Sequence, residues 1–364
     1  MTQGGTVVAG RAGRLSALDG LRGIAVALVV IGHATGAIGL HLPVGLGLFD
    51  EGGRGVTVFF VLSGFLITSI LLREQDRSGR IDLPAFYSRR AFRILPAFYV
   101  FLAVVSVLSV LGTVVHVTKA QVLFAGLFIW DYAPNGGNWW LGHTWSLAIE
   151  EQFYLLWPLL LLLVRRRAAI IVAIAVLVLD PVLRVAEYVL VPSLRGYDNV
   201  MFHTRADSLI VGALLALLLR TAAADTIRRW AGMLWVPAVV YMLLVGPALE
   251  TRLSNAYLLT VGWSIEGLCI AIIIAAVTAA PAGRLAAVLS WSPLRLLGLV
   301  SYSLYLWQQL FLSPYMPAPL SLPWVGIPAA LALAVLSYLF VERPFLRMKR
   351  RFERAAVADP QPAI

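Results

Sequence analysis

An arginine and a histidine eleven residues apart are the first pair in this chain that could do chemistry together. The segment LDGLRGIAVALVVIGHATG holds Asp19, Arg22 and His33 within an apolar run. In a helix, eleven residues rise roughly 16 Å and complete about three turns, so Arg22 and His33 share a face. That geometry puts a cation and a deeper imidazole on one cavity. A lone histidine there is as easily a satisfied core residue; the aligned arginine and nearby aspartate favour function. A second segment, HTWSLAIEEQFYLLWP, carries Glu150 and Glu151. Neighbouring helical residues diverge by about 100°, so only one of the two is expected to face the cavity that His33 faces. A His–Glu pair is the arrangement general-base catalysis uses, although a structural hydrogen bond fits the same spacing. The third set is FYSRRAFRILP, where Arg90 and Arg93 share a face on a short cytoplasmic helix. Their planar donor forks suit phosphate, while a basic inside loop is expected in any case. Ser63 and Gly64 form a small pair that allows close helix contact or a break. Arg205 and Asp207 either pair in the interior or bind a polar acceptor; Glu266 and Gln308 read as interhelical glue.

Long apolar segments must position these residues. Of 364 residues, 60% are hydrophobic and 13% charged, and the mean hydropathy is +0.84. Soluble domains run near ~25% charged, so the chain lacks a polar surface to face water all round. The apolar runs are continuous rather than alternating, which predicts spanning helices and not a lipid-facing barrel. About ten spans are expected: Leu18–Gly39, Gly55–Leu72, Ile94–Val115, Thr144–Val164, Ala168–Leu190, Phe202–Leu219, Met233–Ala248, Ala256–Ala279, Leu296–Leu312 and Pro323–Val341. Gln121–Trp130 is apolar but too short to cross and reads as re-entrant or interfacial. With the N-terminus inside, the cytoplasmic segments collect Arg11, Arg14, Arg22, the cluster from Arg73 to Arg93, Arg165–Arg167 and the basic tail. This positive-inside bias places both termini in the cytoplasm.

The net charge of +10 does not point to nucleic acid, because the aromatic residues lie inside apolar runs rather than among the basic ones. Cys269, the single cysteine, excludes an intrachain disulfide and a cysteine-rich metal site, and reads as a small core residue. The stretch Met1–Gly13 reads as a short cytoplasmic segment without a cleavable signal, 14–344 as one transmembrane domain, and 345–364 as a basic cytoplasmic tail.

Taken together, these segments resemble the membrane-bound acyltransferase 3 family. The carriers are Arg22-x10-His33, Ser63-Gly64-Phe65 and Arg90-x-x-Arg93-Ile94-x-Pro96. To these add Trp145-Ser146-Leu147-x-x-Glu150-x-x-Phe153-Tyr154, Arg205-x-Asp207 and Glu342-Arg343-Pro344. Each is weak alone; their order and spacing over most of the chain are specific. The resemblance implies an acyl-CoA donor, acetyl-CoA first, entering from the cytoplasm into an all-α core of ten helices. It implies His33 as catalytic base with Glu150 as the motif glutamate, Arg22, Arg90 and Arg93 as donor-side cations, and Ser63, Trp145, Ser146, Tyr154, Arg205 and Asp207 as substrate contacts. Gln308 departs from the family, whose members often carry histidine after the tryptophan, and no appended hydrolase-like domain is present in these residues.

The expected activity is O-acyl transfer from acyl-CoA to a hydroxyl of a glycan, glycolipid or macrolide, without a metal, by a multi-pass protein of a bacterial cytoplasmic membrane. Its partners are then the lipid bilayer, the donor and a hydroxylated acceptor. A GC-rich bacterial source is suggested by frequent Ala and Val and by lysine occurring only at Lys119 and Lys349. The alternative is a proton-coupled transporter, which buried Arg, His and Glu residues also suit. Two features oppose it: the halves show no repeat, and the arginine cluster has no part in alternating access.

Overall fold

The computed structural model of this chain describes residues 3–39, 52–133, 137–197 and 200–348. Three long helices come first: α1 (Gln3–Ala37), α2 (Gly52–Ser78) and α3 (Leu83–Val110). The short α4 (Lys119–Gly126) and α5 (Trp139–Gly142) lead into α6 (Thr144–Leu163) and α7 (Arg166–Leu190). A one-turn α8 (Phe202–Arg205) precedes α9 (Asp207–Leu218), followed by α10 (Ala224–Val240), α11 (Gly246–Leu253) and α12 (Asn255–Tyr257). The chain continues through α13 (Trp263–Ala279), α14 (Arg284–Leu289), α15 (Ser292–Leu299), α16 (Ser301–Phe311) and α17 (Pro323–Ser337). No strand occurs among the described residues. The fold is a multi-pass helical membrane bundle.

Among the described residues, eight helices are long and apolar enough to cross a bilayer: Ser16–Ala37, Gly52–Ser78, Leu83–Val110, Trp139–Leu163, Arg166–Leu190, Ala224–Leu253, Leu258–Ala279 and Pro323–Met348. They answer eight of the ten expected spans. The other two differ for one reason. The segment expected as Phe202–Leu219 yields only the 12-residue α9, and Leu296–Leu312 divides at Val300 between α15 and α16. Nearly all of α9 and α16 is buried in protein. A helix wrapped by its neighbours need not match the thickness of the hydrocarbon core.

Helix α3 begins eleven residues before the expected Ile94. Asp82 caps its N-terminus by accepting from the Ala85 amide at 2.9 Å, and Pro84 occupies a first-turn position where its missing N–H costs nothing. Arg90 and Arg93 therefore ride on a long spanning helix, not on a short one in a cytoplasmic loop. The segment expected as re-entrant or interfacial, Gln121–Trp130, holds most of the capped helix α4 and the turn that follows it. Of the expected tail, 345–348 continues as helix and the rest lies outside the described residues, as do 1 and 2 of the expected N-terminal segment, which is helical from residue 3.

Backbone contact between helices sets the register of the bundle. A Cβ on Gly64 would lie 1.8 Å from the Leu209 carbonyl oxygen, and one on Gly212 would lie 1.9 Å from that of Val61. Helices α2 and α9 thus touch backbone to backbone, the close approach that small residues permit in membranes. Ser63-Gly64 marks this contact and not a break, since α2 runs unbroken from Gly52 to Ser78. Helix α1 meets α15 in the same way, with Gly23 against Leu294 and Gly298 against Asp19. Substituting Gly64→Ala forces this pair apart, and overpacking of this kind costs about 1–3 kcal/mol. A matching loss of thermal stability in detergent is the expected result; an unchanged unfolding temperature contradicts the contact.

Candidate active site

Two cavities lie one above the other along the axis shared by α1, α2, α6 and α16. Residues lining the first are Arg22 on α1, Ser63 on α2, Arg90 and Arg93 on α3, Glu150, Glu151 and Tyr154 on α6, and Ser301 and Tyr302 on α16. The second is lined by His33 on α1, Gly52 and Gly53 on α2, His143 and Trp145 around the start of α6, and Gln309 on α16. On each of the four shared helices the two sets are displaced along the axis, and Val56 and Tyr305 line both. The arginine cavity therefore sits toward the start of α1, and the histidine cavity toward its end.

The arginine cavity lies on the side of the histidine cavity that is nearer the basic end of the bundle, where α2 ends and α3 begins. There Asp76 bridges Arg166, at 2.8 Å, and Arg220, while Glu74 holds Arg89 at 3.2 Å. Inside the cavity the guanidiniums are less committed. Arg22 has Asp19 at 3.5 Å, and Arg90 lies 4.8 Å from the ring centre of Tyr154. Among the described residues, neither Arg90 nor Arg93 is paired with a carboxylate within salt-bridge distance. Three like charges gathered with most of their donors free form a site for a polyanion such as phosphate. Glu150 lies here too: its Oε1 accepts from Ser63 Oγ at 2.7 Å, with Arg90 and Arg22 in electrostatic reach.

His33 has a different partner. Its Nδ1 lies 2.9 Å from Gln308 Oε1, and its ring stands edge-on to Trp139 at 5.7 Å. Its Nε2 is turned toward the cavity, 3.7 Å from where a Cβ of Gly52 would be. The histidine cavity encloses about 380 Å³, within the range of small-molecule sites. Asp131 lies on its wall, outside the spanning helices. Burial pushes its carboxyl up to about 6, against hydrogen bonds from Gln152 at 2.8 Å and the Phe202 amide at 3.3 Å.

Several expectations change at this point. Arg22 and His33 do not face one cavity but line two, because the cavities follow one another along the helix. The expected His33–Glu150 pair is not formed; Ser63 takes Glu150 and Gln308 takes His33. Glu150 and Glu151 both line the arginine cavity, although their helical angle suggested that only one could. Ser63, Ser146 and Tyr154 line the arginine cavity and Trp145 the histidine cavity.

Arg205 and Asp207 line neither. Asp207 pairs instead with Arg184 at 2.9 Å, and both are fully buried. Ser264 Oγ donates to the same Asp207 oxygen at 2.7 Å, and the Asp207 amide donates to Asp180 at 2.7 Å. Arg205 donates to Thr57 and Ser208 and lies 3.7 Å from the ring centre of Trp263. Close by in sequence to Arg205's partner Thr57, Arg54 is held by Glu250 and, at 3.0 Å, by Glu266.

Sequence reasoning missed His143, Tyr305, Gln308 and Gln309 as site residues. For the α16 residues the signal lay in Ser301, Tyr305 and Gln308, which recur at four- and three-residue spacing and share a face. Among the described residues, no group of three or more His, Cys, Asp and Glu side chains is gathered as a metal site.

The fold places an arginine cavity and a histidine cavity inside a bundle of membrane-spanning helices. The chain belongs to the acyltransferase 3 family: residues 15–342 match the sequence profile of a family described as an acyltransferase domain. It is 30% identical over 355 residues to a protein of Staphylococcus aureus (strain COL) named "Putative O-acetyltransferase SACOL0978", covering 90% of this chain and 56% of that one. It is 28% identical over 353 residues to O-acetyltransferase OatA of Staphylococcus aureus (strain NCTC 8325 / PS 47), covering 91% and 57%. The chain thus spans little more than half the length of these relatives. No solved structure matches it.

The Arg184–Asp207 contact carries its own test. Removing one partner of a buried ion pair costs about 3–5 kcal/mol. Arg184→Met is expected to lower stability or folded yield to that degree. A fully stable Arg184→Met protein with a weakened acceptor KM points instead to substrate binding at this cluster.

Proposed function

We propose that this chain transfers an acyl group, acetyl in the first instance, from acyl-CoA to a hydroxyl of a glycan, glycolipid or macrolide. The setting is the bacterial cytoplasmic membrane, with the arginine cavity on the cytoplasmic side. The observation that carries this reading is the stacking of the two cavities across Val56 and Tyr305. One end offers three guanidiniums for the phosphates of a CoA thioester, where charge-assisted bonds are strong. The other offers an imidazole in a cavity wide enough for an acceptor. Family membership and two relatives named as O-acetyltransferases support the same reaction class.

In this mechanism Arg22, Arg90 and Arg93 hold the donor, and its pantetheine arm runs along α1 toward His33. The eleven residues between Arg22 and His33 amount to roughly 16 Å of rise, a span the arm can cover. Gln308 Oε1 accepts from His33 Nδ1–H, which leaves the lone pair on Nε2 facing the cavity. Nε2 takes the proton of the acceptor hydroxyl as its oxygen attacks the thioester carbonyl carbon. The carbon–sulfur bond breaks, and the thiolate recovers that proton from the imidazolium to leave as free CoA thiol. Glu150 acts on the donor side, orienting Ser63 among the arginines. Gln308 is a positioning residue, because it fixes which nitrogen is free.

The test uses purified full-length protein, labelled acetyl-CoA and the acceptor found by mass spectrometry of surface glycans, glycolipids and secreted metabolites in a deletion strain. His33→Ala and His33→Gln are expected to lose about 10²–10⁴ in turnover. Arg93→Ala is expected to weaken acetyl-CoA binding about tenfold, the equivalent of one charge-assisted bond. Near-wild-type turnover in both His33 variants would sink the mechanism.

A further inference from the structure

A further basic cavity lies apart from the two stacked ones, among α1, α2, α9, α10 and α13. Arg73, Arg220 and Arg228 line it, and among the described residues no carboxylate does. It shares no lining residue with the arginine cavity or the histidine cavity. On α2 its residues run from Phe65 to Arg73, whereas those of the arginine cavity run from Val56 to Ser63, so it sits at the basic end of the bundle. It encloses about 130 Å³. Drug-sized ligands take about 300–1,000 Å³, so the space suits a small charged group and not a whole nucleotide cofactor.

The ordinary duties of arginine at a helix end do not use up these charges. A guanidinium can cap the last carbonyls of a helix, but at the end of α9 the Leu215, Leu217 and Leu218 carbonyls accept from the amides of Leu219, Arg220 and Thr221. Pairing with carboxylates is the other duty. Arg220 has Asp76, which Arg166 shares, so one negative charge faces two positive ones. Arg228 has Asp225 at 2.7 Å, but that carboxylate is 95% exposed, and exposed pairs contribute little. The cavity therefore keeps a net positive charge.

The rest of its wall is apolar. Leu18, Phe65 and Ala216 are buried there, with Leu66 and Leu219 half-buried beside them. Exposed tryptophans give the height of the site. Trp230 is exposed and lies two residues after Arg228, about 3 Å further along α10. Trp291 is exposed as well, two residues after Leu289, whose carbonyl lies against Gly20 of α1. Tryptophans of spanning bundles gather at the level of the lipid headgroups, so the three guanidiniums lie at the depth of lipid phosphate. A soluble anion would leave the apolar wall unused; a lipid uses both halves.

We propose that this cavity seats an anionic phospholipid of the leaflet at the basic end, with its phosphate on Arg73, Arg220 and Arg228 and an acyl chain against Phe65 and Leu66. Basic pockets between spanning helices bind such headgroups. The lipid then joins α10 to α2 and α9 through one shared anion. The site stands apart from the acyl-transfer reading and uses none of its residues.

The experiment takes the full chain, stripped of lipid in detergent, and measures bound lipid by native mass spectrometry. The probes are dioleoyl phosphatidylglycerol, dioleoyl phosphatidylcholine and the soluble diester glycerophosphoglycerol. Phosphatidylglycerol is expected to bind about tenfold or more tightly than phosphatidylcholine, as the charges of two or more arginines provide. Glycerophosphoglycerol at matched concentration is expected not to bind. Arg73→Gln and Arg228→Gln are each expected to weaken phosphatidylglycerol about fivefold, the share of one arginine beside anionic lipid. Arg229→Gln removes a neighbouring charge that does not line the cavity, and is expected to leave binding unchanged. Arg228 and Arg229 are both exposed, so neither substitution threatens folding. Equal affinity for the two lipids overturns the proposal. So does a loss in Arg229→Gln as large as in Arg228→Gln, which is the mark of diffuse attraction to a basic surface. Glycerophosphoglycerol binding as tight as that of phosphatidylglycerol assigns the cavity to a soluble phosphate and also overturns it.

Discussion

The backbone of α2 meets that of α9 where Gly64 faces Leu209 and Gly212 faces Val61, and α1 meets α15 at Gly23 and Gly298. Lipid chains are as apolar as leucine, so hydrophobicity alone does not hold spanning helices together; close packing must. These glycines let four helices approach without side chains between them. Their consequence is positional. Arg22 and His33 lie on one held helix and Ser63 on another, so the heights at which a guanidinium, an imidazole and a hydroxyl enter the interior follow from where the glycines fall.

Inside that frame the polar residues divide into two kinds. Around Arg184, Asp207, Asp180 and Ser264 nearly every donor meets an acceptor within 3.2 Å. Such a closed network stabilises the bundle only while it stays intact, which is how buried ion pairs behave. The stacked cavities are different. Among the described residues, Arg90 and Arg93 face each other's charge without a carboxylate in salt-bridge distance. Groups that the protein itself satisfies belong to the scaffold, and groups it leaves open belong to its ligands.

Much of this was legible in the residues and some could not be. Spanning helices followed from unbroken apolar length, and the Ser63-Gly64 contact followed from residue size. Arg22, Arg90 and Arg93 line one cavity, as the family resemblance implied and as no spacing within a single helix could show. The His33–Glu150 pair failed because sequence gives the spacing within one helix but not the axial offset between two. Gln308 is 275 residues from His33, and no local rule connects them. Arg205 and Asp207 left open a buried pair or a polar acceptor site; residues two apart in a helix turn away from each other, and Arg184 from α7 pairs with Asp207.

The central claim is that a donor held in the arginine cavity meets, across Val56 and Tyr305, an acceptor held in the histidine cavity, each reached from its own side of the membrane. Proteoliposomes of uniform orientation test it directly, with labelled acetyl-CoA supplied on one face and the acceptor confined to the other. Label should reach the acceptor when acetyl-CoA is on the face bearing Arg73, Arg89 and Arg166, and not when it is on the opposite face. Equal transfer from both faces, or transfer only when donor and acceptor share a face, would contradict the account.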